Sequence, residues 1–345
     1  MPKPPTVYDV AAHAGVSIAT VSRVIRDPDA VKATTRERVL QSIDALGYVP
    51  SASARGLANR RTGVIGLFFP RHDDSGLGEP TVTEQSTVST IHEQDEQPDN
   101  DNLYYDEVLR GAELEASRRG FALMVASATG GELEQLVMDM AGRVDGMAVL
   151  AGTVPGEMLE RVARHIPVVV LGGDGADDRF DHVHANNGPG MRALAEHVLA
   201  SGAQSFAYIA GPEGVADDEE RFGAFSQVVG DRLVEFLRGD FTRSGGRKAA
   251  ARVTSDPDAI VCANDQTALG VLDVIQHQSR KPLVTGFDGI AAGRHSTPTL
   301  TTVHQPMAEL GRAAVYAIAQ RIEHPDAPRR TLTLPVTVVV RESAP

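Results

Sequence analysis

The sequence predicts an α/β protein in which a small helical segment precedes a larger body of two doubly wound parallel sheets. Residues 6–47 carry apolar side chains at helical spacing. From residue 63 onward, short apolar runs of strand length alternate with amphipathic helical patterns, as in parallel sheets covered by helices on both faces. Eight or more such runs over residues 63–345 suit two sheets better than one.

The N-terminal segment is predicted to form three short helices. Thr6 begins a capping-box pattern for the first helix, and Ser17 is expected to cap the second. Thr34 or Thr35 is expected to cap the third helix, and Gly47 stands where a left-handed C-terminal cap belongs. The segment therefore has the makings of an independent three-helix unit.

The body pattern resolves into strands and helices. The predicted strands are Gly63–Pro70, Phe121–Ser127, Gly146–Leu150, Pro167–Leu171, Ser205–Ile209, Ala259–Cys262, Pro282–Thr285 and Thr333–Arg341. The predicted helices are 106–119, 132–142, 156–165, 188–201, 244–253, 265–278 and 307–323.

Two polar stretches interrupt these patterns. Residues 51–62 are small, polar and basic, and a helix that short is marginal in water, so we expect a linker that orders only on a partner. Residues 71–102 hold nine acidic residues and one arginine, which predicts an acidic disordered insert because such a composition buries too little surface.

Composition and charge narrow the class of protein. No run of 18 apolar residues predicts a membrane span, and the N-terminus lacks the apolar core of a signal peptide, so we expect a cytoplasmic protein. The single cysteine, Cys262, excludes an internal disulfide and a cysteine metal cluster. The net charge is −13, yet residues 1–62 carry nine basic and five acidic residues, a net +4 that favours binding to phosphate.

Residues 11–25 have the layout of a helix-turn-helix, with Gly15 permitting the turn between two short helices. The second helix is predicted to present an outward face where a recognition helix meets base edges. This face comprises Ser17, Ile18, Ala19, Thr20, Ser22 and Arg23. Arg23 is suited to donate two hydrogen bonds to guanine, and Ile18 to contact thymine methyl groups. The competing interpretation is that any small three-helix unit has such a face.

This stretch resembles the headpiece of the LacI/GalR family of bacterial regulators, and the resemblance covers nearly the whole chain. Further matching stretches are Arg36-Glu37-Arg38-Val39, Leu46-Gly47-Tyr48-Val49-Pro50, Ala54-Arg55-Gly56-Leu57, Val144-Asp145-Gly146, Asn187-Gly188, Ala263-Asn264-Asp265, Gly286-Phe287-Asp288 and Gln305-Pro306. So many matches in order are specific as a set.

The resemblance implies a DNA-contacting set and a homodimer on a pseudo-palindromic operator. The implied contacts are Thr6, Ser17, Ile18, Ala19, Thr20, Ser22, Arg23, Arg26, Tyr48, Ala54 and Leu57. Leu57 would be a wedge in the minor groove, carried with Ala54 on a hinge helix that folds on DNA. Arg26 stands where relatives often have asparagine.

The resemblance also implies a body like periplasmic sugar-binding proteins, with an effector in the cleft between two subdomains. The implied domains are a headpiece of 1–50, a hinge of 51–62, an N-terminal subdomain of 63–182 plus 305–331, and a C-terminal subdomain of 183–304 plus 332–345. The implied effector-binding residues are Tyr105, Arg221, Phe241, Asn264 and Asp288. No cofactor or metal is implied.

The effector's identity stays open among sugars, polyols and nucleosides. Gly172-Gly173 stands where some sugar-responsive relatives place an acidic residue, and the 71–102 insert adjoins the expected cleft. We expect a repressor that its ligand releases, although activation or corepression is an alternative.

Three other classes of protein compete with a ligand-controlled regulator. An enzyme is disfavoured because no dinucleotide, phosphate-loop or nucleophile-elbow motif is present. His182 and His184 could share one strand face, but no third metal ligand is evident. A transport-type sugar-binding protein would lack the headpiece, and a regulator that responds to a protein partner stays open.

Overall fold

The structure is a computed structural model that describes residues 5–49, 61–70, 103–128, 130–173, 175, 177–276 and 281–345. The chain divides into two compact units, Met1–Gly63 and Val64–Pro345. The expected hinge helix and the acidic insert lie outside the described residues, so both stay predictions.

The first unit is a bundle of three helices, as the apolar spacing predicts. They are α1 (Val7–Ala14), α2 (Ile18–Arg26) and α3 (Ala33–Leu46). A turn of 3₁₀ helix, Pro28–Ala30, links α2 to α3. The core is small, and its buried side chains are Val10, Ala11, Ala14, Val21, Val24, Val39 and Tyr48.

The helix ends follow the predicted signals with one exception. Gly15 and Gly47 both adopt the left-handed conformation, with φ of 62° and 61°, and end α1 and α3. Ser17 caps α2 by accepting a hydrogen bond from the Thr20 amide at 3.1 Å. The third helix begins two or three residues earlier than expected, because its N-cap residue is Lys32, which makes no side-chain cap, and not Thr34 or Thr35.

The second unit contains the remaining helices and all strands of the described chain. The helices are α4 (Leu103–Arg118), α5 (Leu133–Ala141), α6 (Gly156–Ala163), α7 (Asn187–Ala200), α8 (Ala216–Val229), α9 (Arg243–Ala250), α10 (Asp265–Ile275), α11 (Ala292–His295) and α12 (Met307–Glu323). The strands are β1 (Val64–Pro70), β2 (Ala122–Ala128), β3 (Gly146–Leu150), β4 (Val168–Leu171), β5 (Asp181–Ala185), β6 (Phe206–Ala210), β7 (Leu233–Arg238), β8 (Ala259–Cys262), β9 (Leu283–Asp288), β10 (Thr301–His304), β11 (Thr331–Leu334) and β12 (Thr337–Val339).

These strands form two sheets, as the number of apolar runs predicts, and each sheet has six strands. The first sheet has the order β11-β5-β4-β3-β1-β2, and all its pairs are parallel. The second has the order β12-β10-β9-β8-β6-β7, and only β12 is antiparallel to its neighbour. Folds of this kind bind ligands in the loops at the carboxyl ends of their parallel strands, so a ligand site is expected at those loops.

The strands that sequence patterns missed show how the chain passes between sheets. Strand β5 contains the expected subdomain boundary at residue 182, yet all of Asp181–Ala185 lies in the first sheet. The single strand expected over 333–341 is two short strands, β11 in the first sheet and β12 in the second. The chain therefore leaves the first sheet after Ala185, three residues beyond the expected boundary at 182.

Helices α4 and α12 cross unusually closely on the first sheet. A methyl group at Gly111 would overlap the backbone carbonyl of Ala308, and one at Gly311 would overlap that of Val108. Two glycines at one crossing let the backbones touch. This contact fixes the start of α4, where Tyr104 and Tyr105 lie.

The described residues lack the features of a membrane span and of a metal site. Among them, no helix has the length and apolar character needed to cross a membrane. The same residues contain no group of three or more His, Cys, Asp or Glu side chains arranged to hold a metal ion.

Candidate DNA-binding face and effector cleft

Helix α2 presents one buried and one exposed face, as expected of a recognition helix. Val21 is fully buried and Val24 is 2 % exposed, so they anchor the helix on the headpiece core. On the opposite face, Ile18 is 38 % exposed. The other exposed side chains there are Ser17, Ala19, Ser22 and Arg23, and Thr20 is partly buried.

Two hydroxyl groups on this face already have local partners. Ser17 Oγ lies 2.9 Å from Thr20 Oγ1 while it caps the helix. The backbone N–H and the hydroxyl of Thr6 both donate to Asp9 Oδ2 at 2.7 Å, so Thr6 forms the expected cap at the start of α1. These hydrogen bonds stabilise the first turns of α1 and α2.

Of the four other expected DNA contacts, one is buried and three lie outside the described part of the structure. Tyr48 is only 9 % exposed and packs into the headpiece core, where apolar burial holds it, rather than lying on an exposed surface. Arg26 ends α2, and its side chain lies outside the described part of the structure. Ala54 and Leu57 also fall outside the described residues.

In the second unit, a continuous polar network joins Asp288 to the opposite sheet. Arg221 Nη1 lies 3.8 Å from Asp288 Oδ1, and Arg221 Nε donates to Asn187 Oδ1 at 2.8 Å. Asn187 Nδ2 donates to Asp217 Oδ1 at 2.8 Å, and the Gly173 amide donates to Asp217 Oδ2 at 2.9 Å. Because Gly173 follows β4 and Asp217 lies in α8, this network spans the cleft between the two sheets.

The guanidinium of Arg221 is held rigidly at the centre of this network. It lies 3.9 Å from the centroid of the Phe287 ring, and its Nη1 donates to the carbonyl oxygen of Ala263 at 2.9 Å. The residue is 5 % exposed. A buried arginine that lies over an aromatic ring and donates two hydrogen bonds is a preorganised group.

Aromatic side chains from the first sheet and α4 face these polar groups. The rings of Phe69 and Tyr105 are 5.2 Å apart, and those of Tyr104 and Tyr105 are 5.5 Å apart. Burial raises the pKa of Tyr104 and of Tyr105, and the nearby carboxylates of Asp217 and Asp288 raise both further. Both tyrosines therefore stay neutral and can donate hydrogen bonds from the opposite side of the cleft.

Asp288 is a buried acid of the cleft with a constrained backbone. It has a φ of 117°, it is 5 % exposed, and its Oδ1 accepts a 2.6 Å hydrogen bond from Gln305 Nε2. Burial raises the pKa of Asp288 to about 6, although Arg221 and Gln305 oppose that shift. Backbone strain in a buried acid is typical of a binding site.

Two of the expected effector residues have structural partners. Asn264 caps α10 by accepting from the Thr267 amide at 3.0 Å, and its Nδ2 donates to the carbonyl oxygen of Phe241 at 2.9 Å. Phe241 has a φ of 65°, and its ring covers Gly211, where any Cβ would overlap it. Asn264 therefore holds the Phe241 turn, which places the ring at the edge of the second core.

Residues beyond the expected set complete the cleft. These are Phe69, Tyr104, Asn187, Asp217 and Gln305. Asn187 and Gln305 stood in matched motifs, which was an available signal. No sequence signal pointed to Asp217, because its contact with Gly173 joins residues that are 44 positions apart.

The histidine pair of β5 belongs to the first sheet. His182 Nε2 lies 2.6 Å from the carbonyl oxygen of Asp177, and His184 Nε2 lies 2.9 Å from Thr333 Oγ1. His182 lines a cavity of about 500 Å³ that also borders Gly172, Gly173 and Ala216. Open space therefore adjoins the residue before Asp217.

An exposed recognition-helix face in one unit and a two-sheet body with a polar cleft in the other define a class of protein: a ligand-responsive, DNA-binding transcription regulator. The sequence-family model described as "Bacterial regulatory proteins, lacI family" matches residues 6–51. The family model described as "Periplasmic binding protein-like domain" matches residues 195–344. The chain is 31 % identical to the ribose operon repressor of Halalkalibacterium halodurans, over 98 % of this chain and 96 % of that protein. It belongs to the LacI family of bacterial regulatory proteins.

Other similar proteins agree with this assignment. The transcriptional repressor PurR of Vibrio campbellii is 29 % identical, over 98 % of both chains. A transcriptional regulator CelR–cellobiose complex is 28 % identical, with a TM-score of 0.68 over 98 % of this chain and 99 % of that one. The lac repressor dimer bound to operator and the anti-inducer ONPF is 24 % identical, with a TM-score of 0.81 over 99 % of both chains, and shows the same fold.

Proposed function

We propose that this regulator is a repressor without enzymatic activity, which acts in the cytoplasm and binds a pseudo-palindromic operator as a homodimer. A small sugar-like effector in the cleft controls its affinity for the operator. The single observation that carries the DNA-binding part is the exposed face of α2, set over the buried Val21 and Val24. The net +4 charge of residues 1–62 supports contact with phosphate.

The effector part is supported by the chemistry of the cleft. Asp288 and Asp217 accept hydrogen bonds, Arg221 and the tyrosines donate them, and Tyr105 offers a ring face. Hydroxyl-rich rings are recognised by this combination of polar groups and aromatic faces. The cellobiose complex of the similar regulator CelR is consistent with such a ligand.

The dimer is supported by exposed apolar residues on two edge strands. Strands β2 and β7 are the last strands of the two sheets. Val125 on β2 is 48 % exposed, and Val234 and Phe236 on β7 are 49 % and 38 % exposed. Exposed apolar side chains on unpaired strand edges favour burial against a second copy.

The body would thus consist of one subdomain around each sheet, with residues 51–62 as the hinge to the headpiece. Each subunit of a dimer would contribute one headpiece to one half-site of the operator. A ligand that changes the angle between the subdomains would move the paired hinge segments and so change operator affinity.

Two experiments test this proposal with purified full-length protein. Selection from random duplexes should enrich a palindromic sequence, and analytical ultracentrifugation should show two protomers on each duplex. A thermal-shift screen of sugars, polyols and nucleosides should find a stabilising compound that changes operator affinity in fluorescence anisotropy. Enrichment of no sequence would refute the DNA-binding part, and the absence of any hit that changes operator affinity would refute the effector part.

A further inference from the structure

Asp265 is a buried acid that lies behind the cleft and has no part in the network described above. It is the first residue of α10 and is 0 % exposed, so a ligand in the open cleft cannot touch it. Burying an acid costs free energy unless hydrogen bonds compensate for the lost hydration. The groups that bond to Asp265 therefore indicate what this acid does.

Both carboxylate oxygens of Asp265 accept hydrogen bonds from the segments around Asp288. Its Oδ2 accepts the backbone N–H groups of Gly289 and Ile290, at 2.8 and 2.9 Å. Its Oδ1 accepts the hydroxyl of Thr302 on β10 at 2.5 Å. One side chain thus joins the turn that follows β9 to the neighbouring strand β10, and holds both against the start of α10.

The turn that follows β9 has a backbone that requires such a restraint. Asp288 and Gly289 have φ values of 117° and 77°, and only the second of them is a glycine. A non-glycine residue with positive φ is strained and persists only where the surrounding structure holds it. The two backbone hydrogen bonds to Asp265 come directly after Asp288 and supply that support.

The bond to β10 acts on the hydrogen-bonding partner of Asp288. Thr302 lies three residues before Gln305, whose Nε2 donates to Asp288 Oδ1 at 2.6 Å. The backbone N–H of Gln305 also donates to the carbonyl oxygen of Asp288, at 3.1 Å. Asp265 therefore fixes both segments whose relative position decides how the Asp288 carboxylate meets the Gln305 amide.

Gly286 provides the space that the Asp265 side chain occupies. A Cβ at Gly286 on β9 would overlap Asp265 Oδ1 and come within 3.0 Å of the Cα of the same residue. The Gly286-Phe287-Asp288 stretch thus combines a glycine where the carboxyl group packs with the supported acid two residues later.

We propose that Asp265 is a positioning residue of the effector cleft, which holds the Asp288 carboxylate in place through the turn after β9 and through β10. This inference rests on the proposed effector-binding function and adds a residue that acts without touching the ligand. Loss of the Asp265 carboxyl group should release the turn, let water reach Asp288 and weaken ligand binding, although every cleft side chain is kept.

Two substitutions separate the hydrogen bonds of Asp265 from its charge. Asp265→Ala removes the acceptors of all three hydrogen bonds. Asp265→Asn should preserve them, because its amide oxygen can accept both N–H groups of the turn and its NH₂ group can donate to Thr302 Oγ1. Arg321→Met is the control for lost stability, because Arg321 pairs with Asp181 in the first sheet.

The first measurement requires no ligand. NMR of the full chain with ¹³C-labelled aspartate carboxyl groups follows the signal of Asp288, which is identified by its absence in Asp288→Asn. Burial raises the pKa of Asp288 to about 6. That pKa should fall towards the ordinary value of about 4 in Asp265→Ala, because the released carboxylate is hydrated, and should stay near 6 in Asp265→Asn and Arg321→Met.

Hydrogen exchange tests the same contact without relying on the folding of a variant. In the unaltered protein, the amides of Gly289 and Ile290 should exchange at least about a hundredfold more slowly than in an unstructured peptide. In Asp265→Ala, their exchange should accelerate about tenfold or more, whereas Asp265→Asn should retain most of the protection.

The second measurement is isothermal titration calorimetry with ribose, cellobiose and adenosine. For each compound that binds, Asp265→Ala should weaken the affinity at least about tenfold, because Asp288 and Gln305 lose their placement. Asp265→Asn and Arg321→Met should each stay within about threefold of the unaltered protein at a temperature well below unfolding.

The outcomes distinguish this inference from the proposed function. Unprotected Gly289 and Ile290 amides, or an Asp288 pKa that stays near 6 in Asp265→Ala, would overturn the positioning role and leave a ligand-controlled regulator intact. Equal losses of affinity in Asp265→Ala and Arg321→Met would overturn it as well. If none of the three compounds binds although operator binding is intact, the effector part of the proposed function fails, and the NMR and exchange results still decide whether Asp265 positions Asp288.

Discussion

The headpiece depends on a few buried side chains, so shortening one of them should have a large and separable effect. Val21 lies on the buried face of the recognition helix and is 0 % exposed. Replacing it by alanine removes two methyl-sized groups, worth about 1.6 kcal/mol of transfer free energy, and leaves a cavity that adds to the cost. We expect Val21→Ala to lower the free energy of unfolding of the headpiece by about 2 kcal/mol.

That magnitude matters because the unit is small. Among the described residues of this unit, seven apolar side chains are buried in the core, and a unit of this size rarely has more than about 3–5 kcal/mol of stability. A loss of about 2 kcal/mol changes the ratio of folded to unfolded headpiece about thirtyfold. Operator affinity should fall as the temperature approaches the weakened transition.

The assay is thermal unfolding of the full chain followed by circular dichroism and by NMR of headpiece amides, with operator binding measured across the same temperatures. Ser22→Ala is the matched control, because Ser22 is an exposed neighbour on the same helix and its replacement should change stability by less than about 0.5 kcal/mol. If the headpiece transition of Val21→Ala moves no further than that of Ser22→Ala, the assignment of the buried and exposed faces is wrong.

Three further predictions concern the body. Arg321→Met should lower the free energy of unfolding of the body by about 3–5 kcal/mol in urea titrations, because the buried Asp181 carboxylate, 4 % exposed, loses the two hydrogen bonds of 2.9 and 2.8 Å that Arg321 donates. A loss below about 1 kcal/mol would contradict this. Gly111→Ala should destabilise the body by about 2 kcal/mol or more through backbone overlap between crossing helices, whereas Gly131→Ala, which meets no atom within 4 Å, should not; equal effects would contradict the crossing. Burial raises the pKa of Asp288 to about 6, so the stability that its protonated carboxyl contributes is fully present below the ordinary pKa near 4 and is lost as pH rises through 6. The slope of the unfolding free energy against pH between these values should flatten in Asp288→Asn, and an unchanged slope would refute the assignment.

Sequence patterns predicted those parts of the fold that depend on local periodicity. The helix-turn-helix follows from apolar spacing and from Gly15 and Ser17, all within about 20 residues, and the structure confirms it. Strand β5, Asp181–Ala185, was missed because its polar side chains find partners inside the protein. Helix α8 was missed because its first turn is crowded with acids. Local patterns do not reveal a partner supplied by a distant segment.

In the candidate site, too, sequence motifs predicted some residues, whereas others are brought in only by the fold. Arg221 and Asp288 were expected from family motifs, and the structure places them 3.8 Å apart in one network. Asn264 lies near them, and its capping role could have been recognised, because asparagine before a helical run is a common N-cap. Asp217 could not be found this way, because only the fold brings it to Gly173.

The central claim is that the exposed face of α2 reads base sequence, and one measurement tests it most directly. The affinity of Arg23→Ala is measured by fluorescence anisotropy for the selected operator and for every single-base-pair variant of one half-site. Arg36→Ala is the control, because Arg36 bonds Asp29 at 2.8 Å outside that face. We predict that Arg23→Ala loses discrimination at one base pair by about 1–3 kcal/mol, with the other positions read as before. Discrimination equal to that of the unaltered protein at every position would contradict the claim.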